Sequence, residues 1–245
     1  MDQVILKIEE NVSIAQDVYR MRLSGDVSAV TRPGQFVNLA VSGCYLRRPI
    51  SVCDCRDGAV TLLYKVVGQG TAKLSELPVG ERLDVLTGLG NGFDVDNARG
   101  STLLIGGGIG AAPLYWLARE LADHGTAATA VLGFNTVEDV YYAEKFKAVC
   151  SRVVLATADG SCGIRGFVTD AMAQLPCDYY YACGPEPMLR AVWKACPSDG
   201  ELSFEERMGC GFGACMGCTC KTITGWKRIC KDGPVLRKGE IAWAD

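Results

Sequence analysis

The stretch "STLLIGGGIGAAPLYWLARELADHG", Ser101 to Gly125, decides how this chain is read. Its run from Ser101 to Ala118 carries no charge and has bilayer-spanning length, but four glycines and a proline interrupt it. A strand, a glycine loop and a helix describe it better than a membrane helix. "TLLIGGG" is a short buried strand running into glycines, and "APLYWLARELADHG" has helical spacing, with Pro113 near its start and Gly125 after its end. The alternation continues downstream. "ATAVLGF", "RVVLAT", "DYYYACG" and "ELSFEE" read as strands, and "VEDVYYAEKFKAV", "VTDAMAQL" and "EPMLRAVWKAC" as helices. Strands alternating with helices predict a parallel sheet covered on both faces.

Upstream, the pattern is β-rich. "VYRMRLSG" alternates, "GQFVNLAV" follows a Pro-Gly turn and "GAVTLLYKVV" follows Asp57-Gly58, with one short helix in "GTAKLSEL". Short strands closed by turn signals predict a barrel or sandwich. Downstream, residues 207–245 form a Gly- and Cys-rich tail, too small to fold on apolar burial alone, so a staple or metal is expected there. The expected units are thus 1–98, a β-barrel; 99–206, an α/β nucleotide domain; and 207–245, a small C-terminal subdomain. With 25 basic and 28 acidic residues the net charge is -3, and no basic stripe is present to contact nucleic acid. "MDQVILKIEENVS" has no basic flank, apolar core or cleavage site of a signal peptide, so a cytoplasmic protein is expected, with no membrane association.

Thirteen cysteines are too many for disulfides in a reducing compartment. Eight are dispersed among apolar neighbours, where free Cys serves as a small hydrophobe. The other five crowd the tail. Cys210, Cys215 and Cys218 have the spacing C-x4-C-x2-C, and Cys230 follows after eleven residues. This is the plant-type spacing of a [2Fe-2S] cluster. Three thiolates must converge from one loop whose N–H groups point inward, and Gly209, Gly211, Gly213 and Gly217 permit that curl. The rival readings are structural zinc, which commonly takes paired C-x2-C knuckles where this tail has one, and unligated thiols such as a redox dithiol, which usually sits at a helix start beside a strand. Cys220 is an alternative to Cys218, at the cost of turning the x2 spacing into x4.

Two further elements are suited to phosphates and rings. Gly106-x-Gly108-x-x-Ala111 fits the relaxed dinucleotide fingerprint, in which glycines admit a pyrophosphate to a helix N-terminus. No acidic residue closes the second strand at "VLGFNT", and a glycine turn without ligand is the alternative. In "LRRPISVCD" Arg48 offers a planar fork for phosphate and Ser51 a hydroxyl. In "LYKVVGQGT" Tyr64 is a ring-stacking candidate, with Gly70 and Thr71 at a helix start. The plain alternatives are a core tyrosine and surface arginines. His124, the single histidine, reads as a helix-end residue and not as a base, and no paired carboxylates or Ser/His/Asp set stand in motif context, so no catalytic residue is assigned.

R-P-x-S and G-x-G-T, then G-G-G-x-G, then "CGPEPM", then a cysteine tail: in this order they resemble the ferredoxin–NADP reductase superfamily. Within it, "MGCGFGACMGC" followed by "CKDGPV" resembles the electron-transfer subunits of dihydroorotate dehydrogenase B, over essentially the whole chain. The resemblance implies FAD lined by Arg48, Pro49, Ile50, Ser51, Leu63, Tyr64, Lys65, Gly70 and Thr71. It implies NAD(H) at Gly106, Gly107, Gly108 and Gly110, with Cys183, Gly184 and Pro185 beside the nicotinamide and Asp159 of "ADGSCGIRG" near it. Ile50 stands where many superfamily members carry an aromatic, so one flavin contact is absent; the dihydroorotate branch shares this feature. NAD(H) carries two electrons and a cluster one, so a flavin must stand between them. The resemblance also implies an FMN-containing dihydroorotate dehydrogenase catalytic subunit as partner, two copies of each forming a heterotetramer in pyrimidine biosynthesis. The nearest rival is the flavin and iron–sulfur subunit of an NADH-dependent ferredoxin:NADP oxidoreductase. A zinc-stabilised interaction module without redox chemistry is a third reading.

Overall fold

The computed structural model describes residues 1–243. Its first part is a closed barrel of β1 (Asp2–Ala15), β2 (Val18–Ser24), β3 (Phe36–Leu39), β4 (Arg48–Arg56), β5 (Ala59–Lys65) and, after helix α1 (Gln69–Ser75), β6 (Arg82–Leu89), in the order β1-β2-β5-β4-β3-β6. Side chains alternate across each strand, so Leu6, Ile8, Met21, Leu23, Leu62 and Val85 share one interior. Asp57 and Gly58, both at positive φ, make the tight turn that joins β4 to β5 and fixes their register.

A sheet of order β10-β9-β8-β7-β11-β12-β15 follows, its last strand being Val235–Arg237 of the tail. It is built from β7 (Thr102–Gly107), α2 (Ala111–Asp123), β8 (Ala128–Phe134), α3 (Ala143–Lys147), β9 (Arg152–Thr157), β10 (Ile164–Arg165), α4 (Val168–Met172), β11 (Tyr179–Cys183), α5 (Glu186–Ala195) and β12 (Asp199–Ser203). These strands are parallel, and helices cover both faces as expected: Leu104, Tyr179 and Tyr181 pack with α2 and α3, Leu103, Ile105 and Tyr180 with α4 and α5. Helix α2 is buried all round from Ala111 to Ala118 because it lies between the sheet and the barrel. Its Leu114 and Leu117 join the sheet core, while Trp116 enters the barrel core. Asp54 of β4, 5% exposed, pairs with Arg119 of α2 at 3.2 Å and locks the two parts together.

Two details depart from the pattern read in sequence. "VEDVYYAEKFKAV" is not one helix: a 3-10 turn at Val137–Asp139 and α3 are separated by Tyr142 in the left-handed conformation. The tail carries the hairpin β13 (Thr219–Thr222) and β14 (Gly225–Arg228), helix α6 (Ile229–Asp232) and β15 (Val235–Arg237). Strand β15 pairs antiparallel with β12, so the tail extends the sheet, and Asn91 clamps it from the barrel side by donating Nδ2 to the Val235 carbonyl at 2.8 Å. Among the described residues no helix is long and apolar enough to cross a membrane.

Candidate functional site

A cleft of about 500 Å³ opens at the carboxyl ends of β7, β8, β9 and β11. In open α/β sheets ligands sit at this edge, where the strand order reverses. Its floor is Gly107, Gly108 and Ile109, its walls include Asn135, Ala158, Pro185 and Met188, and Val18 and Lys65 close it from the barrel. Sequence and geometry meet at the glycines. A side-chain carbon on Gly110 would lie 2.5 Å from the Cys183 carbonyl oxygen, and one on Gly107 would lie 2.3 Å from Met188 Sδ. Only bare backbone lets the 106–110 loop and the 183–185 turn approach this closely. Gly106, Gly107, Gly108 and Gly110 are thus brought together with Cys183, Gly184 and Pro185. Asp159 stands just beyond: its backbone N–H bonds to the Asn135 carbonyl at 3.2 Å, and its carboxylate accepts from Ser161 Oγ at 2.7 Å. That hydrogen bond holds the carboxyl below its ordinary range.

The barrel residues form a second group. Arg48 lies over Gly70, where any side-chain carbon would sit 2.0 Å from Nε, so the arginine fork and the start of α1 are in direct contact. Pro49, Ile50 and Ser51 follow on β4, paired with β3. Thr71 spends its hydroxyl locally, accepting from Val67 and Gly68 N–H and donating to the Gly68 carbonyl. On β5 the alternation separates neighbours: Leu63 faces the α2 side, and Tyr64 the barrel interior. Tyr64 is therefore not the open stacking ring expected from sequence. It is 1% exposed, lies on Tyr19 with ring centroids 5.8 Å apart, and donates its hydroxyl to Asn11 Oδ1 at 2.9 Å.

The tail cysteines form two pairs. Ala214 and Cys215 N–H groups donate to Cys210 Sγ at 3.2 and 3.4 Å, and Cys210 and Gly217 N–H groups to Cys215 Sγ at 3.4 and 3.5 Å. Cys230 N–H donates to Cys218 Sγ at 3.4 Å. Left-handed backbone at Gly211, Gly213 and Met216 turns these donors inward. Burial pushes the Cys210 thiol up, but hydrogen bonds from the amides of Cys215, Phe212 and Ala214 outweigh it and bring it down to about 6. Burial, and then the adjoining Cys218, push Cys230 up to about 12. Cys218 and Cys230 lie in the core shared by the sheet and the barrel end, whereas Cys215 is exposed. Among the described residues no three such donors close on one ion point. Four thiols with inward N–H groups around them fit the [2Fe-2S] cluster that their spacing predicts. Cys220 packs separately on β13, its thiol raised by burial.

Several contributors carried no motif. Tyr141 donates its hydroxyl to the Gly108 carbonyl at 2.8 Å, and Asp139 holds Lys65 Nζ at 3.5 Å across the cleft. Met188 lies within "CGPEPM", but nothing in that motif marks its sulfur as the cleft wall.

A barrel, a nucleotide-type sheet and a thiol loop at their seam define a pyridine-nucleotide-linked electron-transfer oxidoreductase. Comparison with known proteins agrees. An iron–sulfur cluster binding domain of dihydroorotate dehydrogenase B matches residues 205–242, and an oxidoreductase NAD-binding domain matches residues 104–194. The dihydroorotate dehydrogenase B (NAD(+)) electron transfer subunit of Geobacillus sp. (strain WCH70) is 44% identical, covering 98% of this chain and 99% of that one. Those of Fusobacterium nucleatum subsp. nucleatum and Listeria monocytogenes serotype 4a are 41% and 44% identical, covering 96% and 99% of this chain and 96% and 100% of theirs. A solved NADH-dependent reduced ferredoxin-NADP oxidoreductase superposes with a TM-score of 0.89 at 33% identity, over 98% of this chain and 90% of that one. Phthalate dioxygenase reductase, at 20% identity and a TM-score of 0.64 over 79% of this chain and 64% of that one, shares the fold. The chain belongs to the family of dihydroorotate dehydrogenase B (NAD(+)) electron transfer subunits.

Proposed function

We propose that this chain takes electrons from a separate FMN-containing subunit, which oxidises dihydroorotate to orotate in pyrimidine biosynthesis, and delivers them to NAD+ through a [2Fe-2S] cluster and FAD. The carrying observation is the pair of thiol pairs set at the seam between the barrel and the sheet, with Cys218 and Cys230 buried, Cys210 half-buried and Cys215 exposed. When bound, the cluster passes single electrons and FAD converts them to hydride chemistry. Cys210, Cys215, Cys218 and Cys230 are the cluster ligands, and the inward N–H groups lower the cost of thiolate charge. Arg48, with Pro49, Ile50 and Ser51, holds FAD on β4 against Gly70 and Thr71, and Leu63, Tyr64 and Lys65 support it from β5. Tyr64 does so through backbone, since its ring is buried.

Gly106, Gly107, Gly108 and Gly110 seat the NAD(H) pyrophosphate. Cys183, Gly184 and Pro185 flank the nicotinamide, and Asp159 stands beside that cleft. Residues 1–98, 99–206 and 207–245 divide the flavin, nucleotide and cluster duties. Exposed Phe212 and Met216 beside Cys215 supply an apolar rim for the partner, in a cytoplasmic heterotetramer of two copies of each subunit. The backbone match to the ferredoxin-NADP oxidoreductase supports a second, weaker reading, in which the partner is a larger flavoprotein of that type. The co-purifying chain distinguishes the two.

The test is Cys215→Ser in the complex. NAD-linked dihydroorotate oxidation is abolished, while the partner still reduces artificial acceptors. Undiminished NAD-linked turnover would overturn the proposal.

A further inference from the structure

Asn38 is polar, yet it is 1% exposed in the middle of a strand. Its neighbours Val37 and Leu39 face the barrel interior, so Asn38 faces outward, toward the tail. There its Nδ2 donates to the Cys210 carbonyl at 3.2 Å. The next tail residue, Gly211, has φ +81°, and a side-chain carbon on it would come 2.4 Å from Nδ2, so the thiol loop closes directly onto this amide. On the strand side, Asn38 pairs with Pro49 in the β3–β4 ladder, and Arg47 Nη1 donates to its carbonyl at 3.3 Å. Its Oδ1 is buried with no donor among the described residues. A buried acceptor without a donor is unfavourable, so packing alone does not account for an amide at this position.

We infer that Asn38 is a positioning residue for electron transfer, clamping the thiol loop at Cys210 onto the strand pair that carries Arg48 to Ser51. The inference rests on the proposed cluster and flavin assignments. Through this residue one hydrogen bond and one strand ladder connect the loop to the flavin element, and the amide fixes the loop's height over the barrel. Removing partners that lie just outside a metal's own ligands costs about 10–100-fold in affinity or activity, because the ligands lose their orientation.

The test uses the reconstituted complex with Asn38→Leu and Asn38→Ser, and Asn91→Ala as a control that loosens the tail without touching Cys210. The readouts are iron and flavin content, the cluster midpoint potential by EPR-monitored titration, and stopped-flow reduction by NADH. Both Asn38 variants are expected to keep FAD and wild-type flavin reduction. Their cluster potential shifts and their cluster reduction slows about tenfold, while Asn91→Ala does neither. Loss of iron with FAD retained would also support the clamp. Wild-type potential and rate in both Asn38 variants, equal slowing in Asn91→Ala, or joint loss of FAD and iron in both Asn38 variants would overturn it. A wild-type complex without iron refutes the underlying assignment. An iron-loaded wild type with indifferent variants refutes the clamp alone.

Discussion

The Tyr64 hydroxyl, bonded to Asn11 Oδ1, ties β5 to β1 and through Asn11 to the Leu74 and Leu77 carbonyls at the end of α1. Tyr64→Phe is expected to cost about 1 kcal/mol in urea unfolding and to leave the flavin-to-protein ratio unchanged. Loss of flavin from a stably folded variant would show that the ring does more than pack. Gly110 is constrained differently, because its near neighbours are backbone atoms of Cys183 and Gly184 that cannot swing aside. Gly110→Ala should lower stability by about 1–3 kcal/mol, read as a drop in Tm, and weaken NADH binding by titration while iron and FAD stay bound. At this scale the sequence was most legible where residue type and spacing are dictated together, as at the four spaced cysteines and the glycine loop. It was least legible where one side chain's direction decides, as for Tyr64, or where a contact spans distant segments, as between Asn38 and Cys210. Cys177 and Cys196, read as ordinary small hydrophobes, lie with sulfurs 3.1 Å apart, a closeness no local pattern signals.

Helix α2 joins the two large parts, and its Arg119 reaches the buried Asp54 of the barrel. Asp54 is held by Arg119 and by Arg56, both at 3.2 Å. Asp54→Ala leaves the Arg119 guanidinium with Glu120, at 3.9 Å, as its remaining carboxylate, and about 1–3 kcal/mol of stability is expected to be lost in urea titrations. An effect below 1 kcal/mol would mean the two parts are not locked through this pair. A second joint is Glu201 of β12, whose carboxylate accepts from the Asp94 N–H at 3.0 Å, Asn97 Nδ2 at 2.7 Å and the Tyr179 hydroxyl at 3.1 Å. Burial raises its pKa despite these donors. The folded chain therefore binds this proton more tightly than the unfolded chain. The site's contribution is full below the ordinary glutamate range and declines as pH rises through that range to the raised value. The stability of wild type relative to Glu201→Gln should fall across that window, and a constant difference would contradict the shift. Elements were legible where periodicity ran long, as in α2. The segment around Tyr142 misleads because its apolar spacing is helical, while Tyr141 is drawn to the Gly108 carbonyl and Tyr142 takes a left-handed turn.

For the whole molecule, the order barrel, α/β sheet and cysteine tail was readable because each part has its own hydrophobic period or residue signature. The docking of the parts was not readable. It rests on β15 completing the sheet beside β12, on Asn91 and Asn38 holding the tail, and on the first two turns of α2, Ala111 to Ala118, buried between sheet and barrel, and each of these joins residues far apart in sequence. This docking places two buried thiols in the core shared by the barrel end and the sheet, and leaves Cys215 exposed. The proposed function requires electrons to pass within this one chain between NAD(H) and the thiol loop. Anaerobic NADH titration of the purified complex, followed together by flavin absorbance and low-temperature EPR, tests it most directly. Flavin bleaching is expected to be accompanied by the EPR signal of a reduced [2Fe-2S] cluster, absent in Cys215→Ser. Flavin bleaching with no cluster signal from an iron-loaded wild-type complex would contradict it.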